Sequence, residues 1–242
     1  MPYIYEITPF TQLDYPGELA CVVWFSGCNL RCVFCHNPNI VLNKGDKDIE
    51  EAVAFLRSRQ GKLTGVVFSG GEATFCKALP DLAQKAKELG FKTKLDTNGA
   101  NPDVVKNMVE SGLLDYIAID YKCPPNKAQQ ILGTAKFEKQ FYETLDFIIA
   151  AQKSGQVQCE IRTTVSTDIL DEADISWIID DLDKRGYAGT YWVQNIFADG
   201  EKTLGNIAEQ VRILDCTALA EPKGFKIGFR NFPKKQNAAS VA

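Results

Sequence analysis

The stretch Ala20-Cys21-Val22-Val23-Trp24-Phe25-Ser26-Gly27-Cys28-Asn29-Leu30-Arg31-Cys32-Val33-Phe34-Cys35-His36-Asn37-Pro38 runs an apolar segment straight into three cysteines spaced C-x3-C-x2-C. An apolar run of this length, bounded by Ser and Gly, reads as a buried strand. The cysteines then fall at its carboxyl end. Four cysteines usually hold an iron–sulfur cube. Three would leave one iron open to a ligand, as catalytic metals keep a position for substrate.

Six further strands are expected downstream, at Gly65–Ser69, Lys92–Asp96, Tyr116–Asp120, Gln158–Val165, Thr190–Asn195 and Phe225–Phe229. Several are continuous apolar runs, the pattern of parallel strands covered on both faces. Helical stripes alternate with them: Ile49, Val53 and Leu56; Leu79, Leu82, Ala83 and Ala86; Phe137, Phe141, Leu145, Ile148 and Ile149; Ile175, Ile178, Ile179 and Leu182; and Ile207, Val211 and Leu214. Asn101-Pro102 reads as an N-cap followed by a first-turn proline. Gly90, Gly112, Gly155 and Gly186 stand where left-handed helix ends belong. Repeated β-α units imply an α/β fold with right-handed crossovers. One domain spanning 1–242 is expected, with residues 1–19 as an N-terminal extension and 233–242 as a disordered tail.

In such a sheet, ligands gather at the carboxyl ends of the strands. There the sequence places the cysteine loop, Ser69-Gly70-Gly71-Glu72, Asp96-Thr97-Asn98-Gly99, Asp120-Tyr121-Lys122, and Gln194-Asn195. The 242 residues are 45% hydrophobic, enough for a substantial core, and carry a formal net charge of −4. That charge argues against a nucleic-acid partner, which needs basic stripes. No segment approaches a membrane span, and Met1–Glu6 lacks the form of a secretory signal. A cytoplasmic location is therefore expected, where thiols stay reduced. Cys21, Cys76, Cys123, Cys159 and Cys216 show no paired spacing. Cys21 and Cys159 read as core residues, and Cys76 and Cys123 as nearer the mouth.

Zinc would complete a Cys3His set with His36, the only histidine, but all four ligands would crowd into nine residues, whereas structural zinc draws on separated pairs. Cys32-Val33-Phe34-Cys35-His36 matches a haem attachment pattern, yet only Met1 and Met108 exist as axial partners. A thioredoxin-like pair would leave Cys28 unexplained. A [4Fe–4S] cluster on three thiolates remains.

At this point the chain resembles the radical S-adenosylmethionine (SAM) superfamily, whose hallmark is C-x3-C-x2-C after the first strand with an aromatic residue, here Phe34, before the last cysteine. Thr8-Pro9-Phe10, Leu13-Asp14-Tyr15-Pro16-Gly17, the Cys-His-Asn-Pro run, Gly70-Gly71-Glu72-Ala73 and Asp96-Thr97-Asn98-Gly99 are similar to the activating enzymes of glycyl-radical enzymes. The opening segment is most similar to the activating protein of the anaerobic ribonucleoside-triphosphate reductase, a relative of the pyruvate formate-lyase activating enzyme. The resemblance covers most of residues 1–165.

The resemblance implies a partial (β/α)6 barrel. It implies that Cys28, Cys32 and Cys35 ligate one [4Fe–4S] cluster, whose open iron chelates SAM. By the same resemblance SAM is reductively cleaved to methionine and a 5′-deoxyadenosyl radical, which abstracts a glycine hydrogen on a partner enzyme, with anaerobic ribonucleotide reductase favoured. A low-potential donor such as flavodoxin or ferredoxin would supply the electron. In similar activases the residues matching Gly70, Gly71 and Glu72 attend the amino acid part of SAM. Those matching Asp120 and Lys122 contact SAM and the protein substrate, and Asn195 is expected to contact SAM from its strand end. Asp96 and Thr97 are expected to help hold a monovalent cation. Arg162, mid-strand, needs an anionic partner, either the SAM carboxylate or a carboxylate of the protein. His36 is expected to order the cluster loop through hydrogen bonds. Glu160–Ser166 lacks the glycine-bearing turn of many relatives, so no adenine contact is assigned there. The interval between Cys35 and Gly70 holds no cysteine, so a single cluster is expected. The alternatives are an activase of another glycyl-radical enzyme, a small-molecule enzyme resembling 7-carboxy-7-deazaguanine synthase, and a plain electron carrier.

Overall fold

In a computed structural model, residues 3–196, 203–208 and 210–233 are described. In chain order the elements are β1 (Ile4–Thr11), β2 (Ala20–Phe25), α1 (Pro38–Leu42), α2 (Ile49–Arg59), β3 (Gly65–Gly70), α3 (Leu79–Glu88), β4 (Lys92–Thr97), α4 (Pro102–Glu110), β5 (Tyr116–Asp120), α5 (Ala128–Leu132), α6 (Glu138–Lys153), β6 (Gln158–Val165), α7 (Glu172–Arg185), β7 (Thr190–Asn195) and β8 (Lys226–Arg230). The strand order along the sheet follows the chain, β1 to β8. The fold is α/β. The chain packs as two compact units. One comprises Met1–Asn29, Asn37–Ala118 and Gln140–Gln158; the other comprises Leu30–His36, Ile119–Lys139 and Cys159–Ala242.

In the first unit β2 pairs parallel with β3, Ala20 opposite Gly65 through Phe25 opposite Gly70, and β3 pairs parallel with β4. Both faces of these strands are covered. Val22, Val23, Phe25, Val66, Val67, Phe68 and Leu95 are essentially inaccessible, which is why their sequence is a continuous apolar run rather than an alternation. Leu56, Leu79, Leu82, Met108, Leu145 and Ile148 complete the core from the helices. The cap of α2 is reciprocal: Asp48 accepts from Glu51 N, and Glu51 accepts from Asp48 N.

The N-terminal extension, to which the sequence assigned no strand, carries one. Residues 4–11 form β1, antiparallel to β2, with a register irregularity between Thr8 and Thr11, where Pro9 interrupts the ladder. Trp24 Nε1 donates to Thr8 Oγ1 at 2.8 Å and fastens the pair.

In the second unit β6, β7 and β8 pair parallel, with Arg162 opposite Trp192 opposite Gly228, and Thr164 opposite Gln194 opposite Arg230. Ile175, Ile178, Ile179 and Leu182 of α7 are fully buried, as their spacing foretold. The helix begins with a reciprocal Asp171–Asp174 cap and ends at Gly186, φ 68°.

The helix expected over Ile207, Val211 and Leu214 does not form. The described residues there are non-helical apart from a 3-10 turn at Cys216–Ala218, and Val211 is 92% exposed. Its backbone is drawn into tertiary bonds instead: Thr167 Oγ1 donates to Arg212 O, and Asp215 N donates to Glu172 Oε1. The expected tail lies, from residue 234 onward, outside the described residues. Among the described residues no helix is long and apolar enough to cross a membrane.

Candidate active site

In the first unit, the turn after β3 packs on the backbone that leads into the cysteines. A Cβ on Gly71 would lie 1.9 Å from Gly27 O and 3.2 Å from Cys28 Cβ, and one on Gly70 would lie 2.3 Å from Phe25 O. Gly71 N donates to Phe25 O and Glu72 N to Gly27 O. The close approach that Gly70 and Gly71 permit is therefore, first of all, to the cysteine loop itself.

Glu72 is 2% exposed, and its carboxylate is a hub. Oε1 accepts from Thr74 Oγ1 (2.7 Å), Thr74 N (3.2 Å) and Thr97 Oγ1 (2.8 Å), and Oε2 accepts from Asn98 N (2.7 Å). Burial pushes its pKa up, and these hydrogen bonds pull it back. Glu72 thus ties the end of β3 to the end of β4. Asn98, without a role of its own in the sequence reading of Asp96-Thr97-Asn98-Gly99, reaches further: its Nδ2 lies 2.8 Å from Asn29 Oδ1 and 3.8 Å from Cys28 Sγ.

The side chains of Asp96 and Thr97 turn to different partners. Neighbouring strand residues face opposite ways. Asp96 pairs with Lys94, an ammonium whose side chain is 1% exposed, and accepts from Ser69 Oγ, while Thr97 Oγ1 turns to Glu72. Lys94 is a buried charge that the sequence reading missed, although Lys94-Leu95-Asp96 alternates charge along one face of the strand.

In the second unit the charged residues form a chain. Asp120 Oδ1 accepts from Arg162 Nε at 2.6 Å and Oδ2 from Lys122 Nζ at 3.1 Å. Arg162 Nη1 lies 3.9 Å from Glu160 Oε1. Arg230 holds Glu160 through both nitrogens (3.4 and 2.9 Å), donates to Gln194 Oε1 (3.1 Å) and stacks 4.0 Å above the Trp192 ring. Burial opposes ionisation of Asp120, but the Arg162 and Lys122 charges overrule it and hold the carboxyl well below the usual range. Arg162 has its anionic partner within the protein. Glu160, Trp192 and Arg230 were not anticipated; the signal was Glu160-Ile161-Arg162, two charges on one strand face.

Phe34 is buried, and Lys122 Nζ sits 5.8 Å from its ring centroid. Burial raises the Cys32 thiol, against the pull of Lys122. Asn195 is nearly buried; its Oδ1 accepts from Gln210 Nε2 at 2.8 Å and its Nδ2 donates to Ile196 O. His36 does not order the loop through Nε2, which is buried without a hydrogen-bond partner. Cys21, Cys123 and Cys159 are pushed up to about 12 by burial, the state of inert core thiols.

The donor set suits an iron–sulfur group: three thiols within eight residues of chain, with no carboxylate among them. Among the described residues no three His, Cys, Asp or Glu side chains are already gathered around a metal position. Their assignment to one cluster rests on spacing and on kinship.

The Radical SAM superfamily profile matches residues 22–174. The chain belongs to the radical SAM superfamily. A relative from Methanocaldococcus jannaschii, provisionally named a glycyl-radical enzyme activating enzyme, is 34% identical over 174 residues, 70% of each chain. The pyruvate formate-lyase-activating enzyme of Clostridium pasteurianum is 34% identical over 145 residues, 54% of this chain and 60% of its own. Streptococcus suis SuiB bound to precursor peptide SuiA superposes with a TM-score of 0.62 at 17% identity, over 77% of this chain and 42% of that one, a likeness of fold. This is a radical SAM enzyme with the α/β radical SAM fold, and the superfamily's cofactors are a [4Fe–4S] cluster and SAM.

Proposed function

We propose that this radical SAM enzyme is an activase that abstracts a hydrogen from a glycine of a partner enzyme. The observation that carries the reading is the 34% identity to an activating-enzyme relative over 70% of both chains. The activase-like motifs at Thr8-Pro9-Phe10, Gly70-Gly71-Glu72-Ala73 and Asp96-Thr97-Asn98-Gly99 support it. Among partners we favour an anaerobic ribonucleotide reductase, on the similarity of the opening segment, with a low-potential flavodoxin or ferredoxin as donor. Residues 1–242 are read as one radical SAM core.

In this reading Cys28, Cys32 and Cys35 hold the [4Fe–4S] cluster, which supplies the electron for reductive cleavage of the SAM sulfonium. The other roles fall to the chain. Asp120, kept ionised by Arg162 and Lys122, offers a fixed anionic acceptor at the end of β5. Lys122 is doubly steered, by Asp120 and by the Phe34 ring, so its ammonium is oriented before any ligand arrives. Glu160 and Arg230 immobilise one another and Trp192, leaving a stiff, polar strand face. Preorganised groups of this kind cost no reorganisation when the substrate binds.

The test is anaerobic. Reduced protein, SAM and a candidate glycyl-radical enzyme are mixed, and the electron paramagnetic resonance spectrum is recorded. A glycyl doublet on the partner, with one methionine released per radical, is the expected result. Methionine release with no doublet on any partner, and turnover of a small substrate instead, would reassign the enzyme to small-molecule chemistry.

A further inference from the structure

The cysteine loop is held from two sides within its own unit. On one side Arg31 N donates to Leu132 O and Val33 N to Ile131 O, both at 2.9 Å, so the end of α5 lies along it. On the other side the segment 203–207 does the same. Leu204 N donates to Cys35 O at 3.0 Å, and Gly205 N donates to Val33 O at 2.9 Å. Val33 is thus bonded through its N–H on one flank and its carbonyl on the other.

The second flank is tightly fitted. A Cβ on Gly205 would stand 2.7 Å from Val33 Cβ and 2.8 Å from Val33 Cα and O, so only glycine lets the two backbones meet. The strap is shaped by its own turn. Asn206 adopts φ 48°, its N–H bonds Thr203 O, and Ile207 N bonds Thr203 Oγ1. It is then moored to the strand ends and α7. Gln210 bridges Asn195 and Thr167, and Arg212 pairs with both oxygens of Glu172 at 2.6 and 2.8 Å. The moorings explain why the expected helix does not form here.

We propose that residues 203–207 are a positioning clamp for the cysteine loop, fixing the backbone that carries Cys32 and Cys35 and shielding those thiols. The cluster itself enters only through the function proposed above; the clamp is defined on the polypeptide alone. Leu204, Gly205 and Asn206 are therefore positioning residues, acting through the carbonyls of Val33 and Cys35.

The experiment is timed alkylation of the full-length apo-protein under reducing conditions, read by mass spectrometry at each cysteine. Gly205→Ala attacks the contact, and Asn206→Val attacks the turn, where a β-branched residue is disfavoured at positive φ. Each is expected to raise labelling of Cys32 and Cys35 roughly tenfold, the effect of losing about one backbone hydrogen bond, while Cys21 and Cys159 keep their wild-type rates. Asn206→Gly, which suits the same turn, is expected to behave as wild type. Unchanged rates at Cys32 and Cys35 in both folded variants would overturn the clamp, and so would an equal rise at every cysteine. Should either variant fail to fold, Thr203→Val, which removes only the bond to Ile207 N, gives the same reading. Failure of SAM cleavage in the wild-type enzyme would sink the proposed function and leave this result standing.

Discussion

Glu72 shows how far a single side chain reaches. Its Ala variant would leave the Thr74 and Thr97 hydroxyls and the Asn98 N–H without their acceptor in a dry place, and we expect a loss of ~3 kcal/mol in urea unfolding. Glu72→Gln keeps an acceptor oxygen and should lose less than half of that. Asp120 gives a prediction in pH. Its folded pKa lies below the value of about 3.9 expected in the unfolded chain. The stability it contributes is thus complete above that value and drains away as pH falls further toward the folded pKa. The stability gap between the wild type and Asp120→Asn should therefore be flat from pH 7 to 5 and shrink below about pH 4; a gap that widens on acidification would refute the sign. The sequence disclosed Asp120 and Lys122 because they stand at the carboxyl end of an apolar strand, where ligands gather, and Arg162 because a charge in mid-strand needs a partner. It did not disclose Glu160, Trp192, Arg230 or Lys94, because a lone charge in a strand does not say which neighbouring strand answers it.

Among the elements, seven strands were legible: β2, β3 and β5 because burial on both faces writes itself as an unbroken apolar run, and β4, β6, β7 and β8 because shorter apolar or β-branched stretches recur between the helical stripes. β1 was not, since an edge strand reading Ile-Tyr-Glu-Ile-Thr-Pro-Phe-Thr covers only one side and carries a proline. α1 and α5, five residues each, are too short for periodicity to register. The stripe Ile207, Val211, Leu214 had the right spacing and the wrong setting, because side-chain moorings claim its backbone. Joints between elements can be probed by glycine. At Gly71 a methyl group would strike Gly27 O, and Gly71→Ala should cost at least ~3 kcal/mol or abolish folding. Gly90→Ala places its methyl at a positive φ but in open space, and should cost only ~1 kcal/mol by thermal melting. Equal effects at the two sites would mean that the contact with the cysteine loop does not govern the first.

Across the whole molecule, the roles assigned to the thiols and to the charged wall should separate in one assay. Replacing Cys28, Cys32 or Cys35 by Ala is expected to remove iron, sulfide and methionine release together. Lys122→Ala is expected to keep the iron and lower methionine release by roughly 10²-fold, the scale of a lost positioning contact. Retained iron in every Cys variant would contradict the ligand assignment. The chain holds three tryptophans, and they differ in surroundings: Trp24 is tied to Thr8, Trp177 is 41% exposed, and Trp192 lies beneath Arg230 with Gly228 vacating the space for its indole. Converting the first two to phenylalanine would leave a lone tryptophan, excited selectively at the red edge of the tyrosine band, under a guanidinium lid on the polar face of β7. Its emission would then be an intrinsic, label-free gauge of anything that shifts that lid.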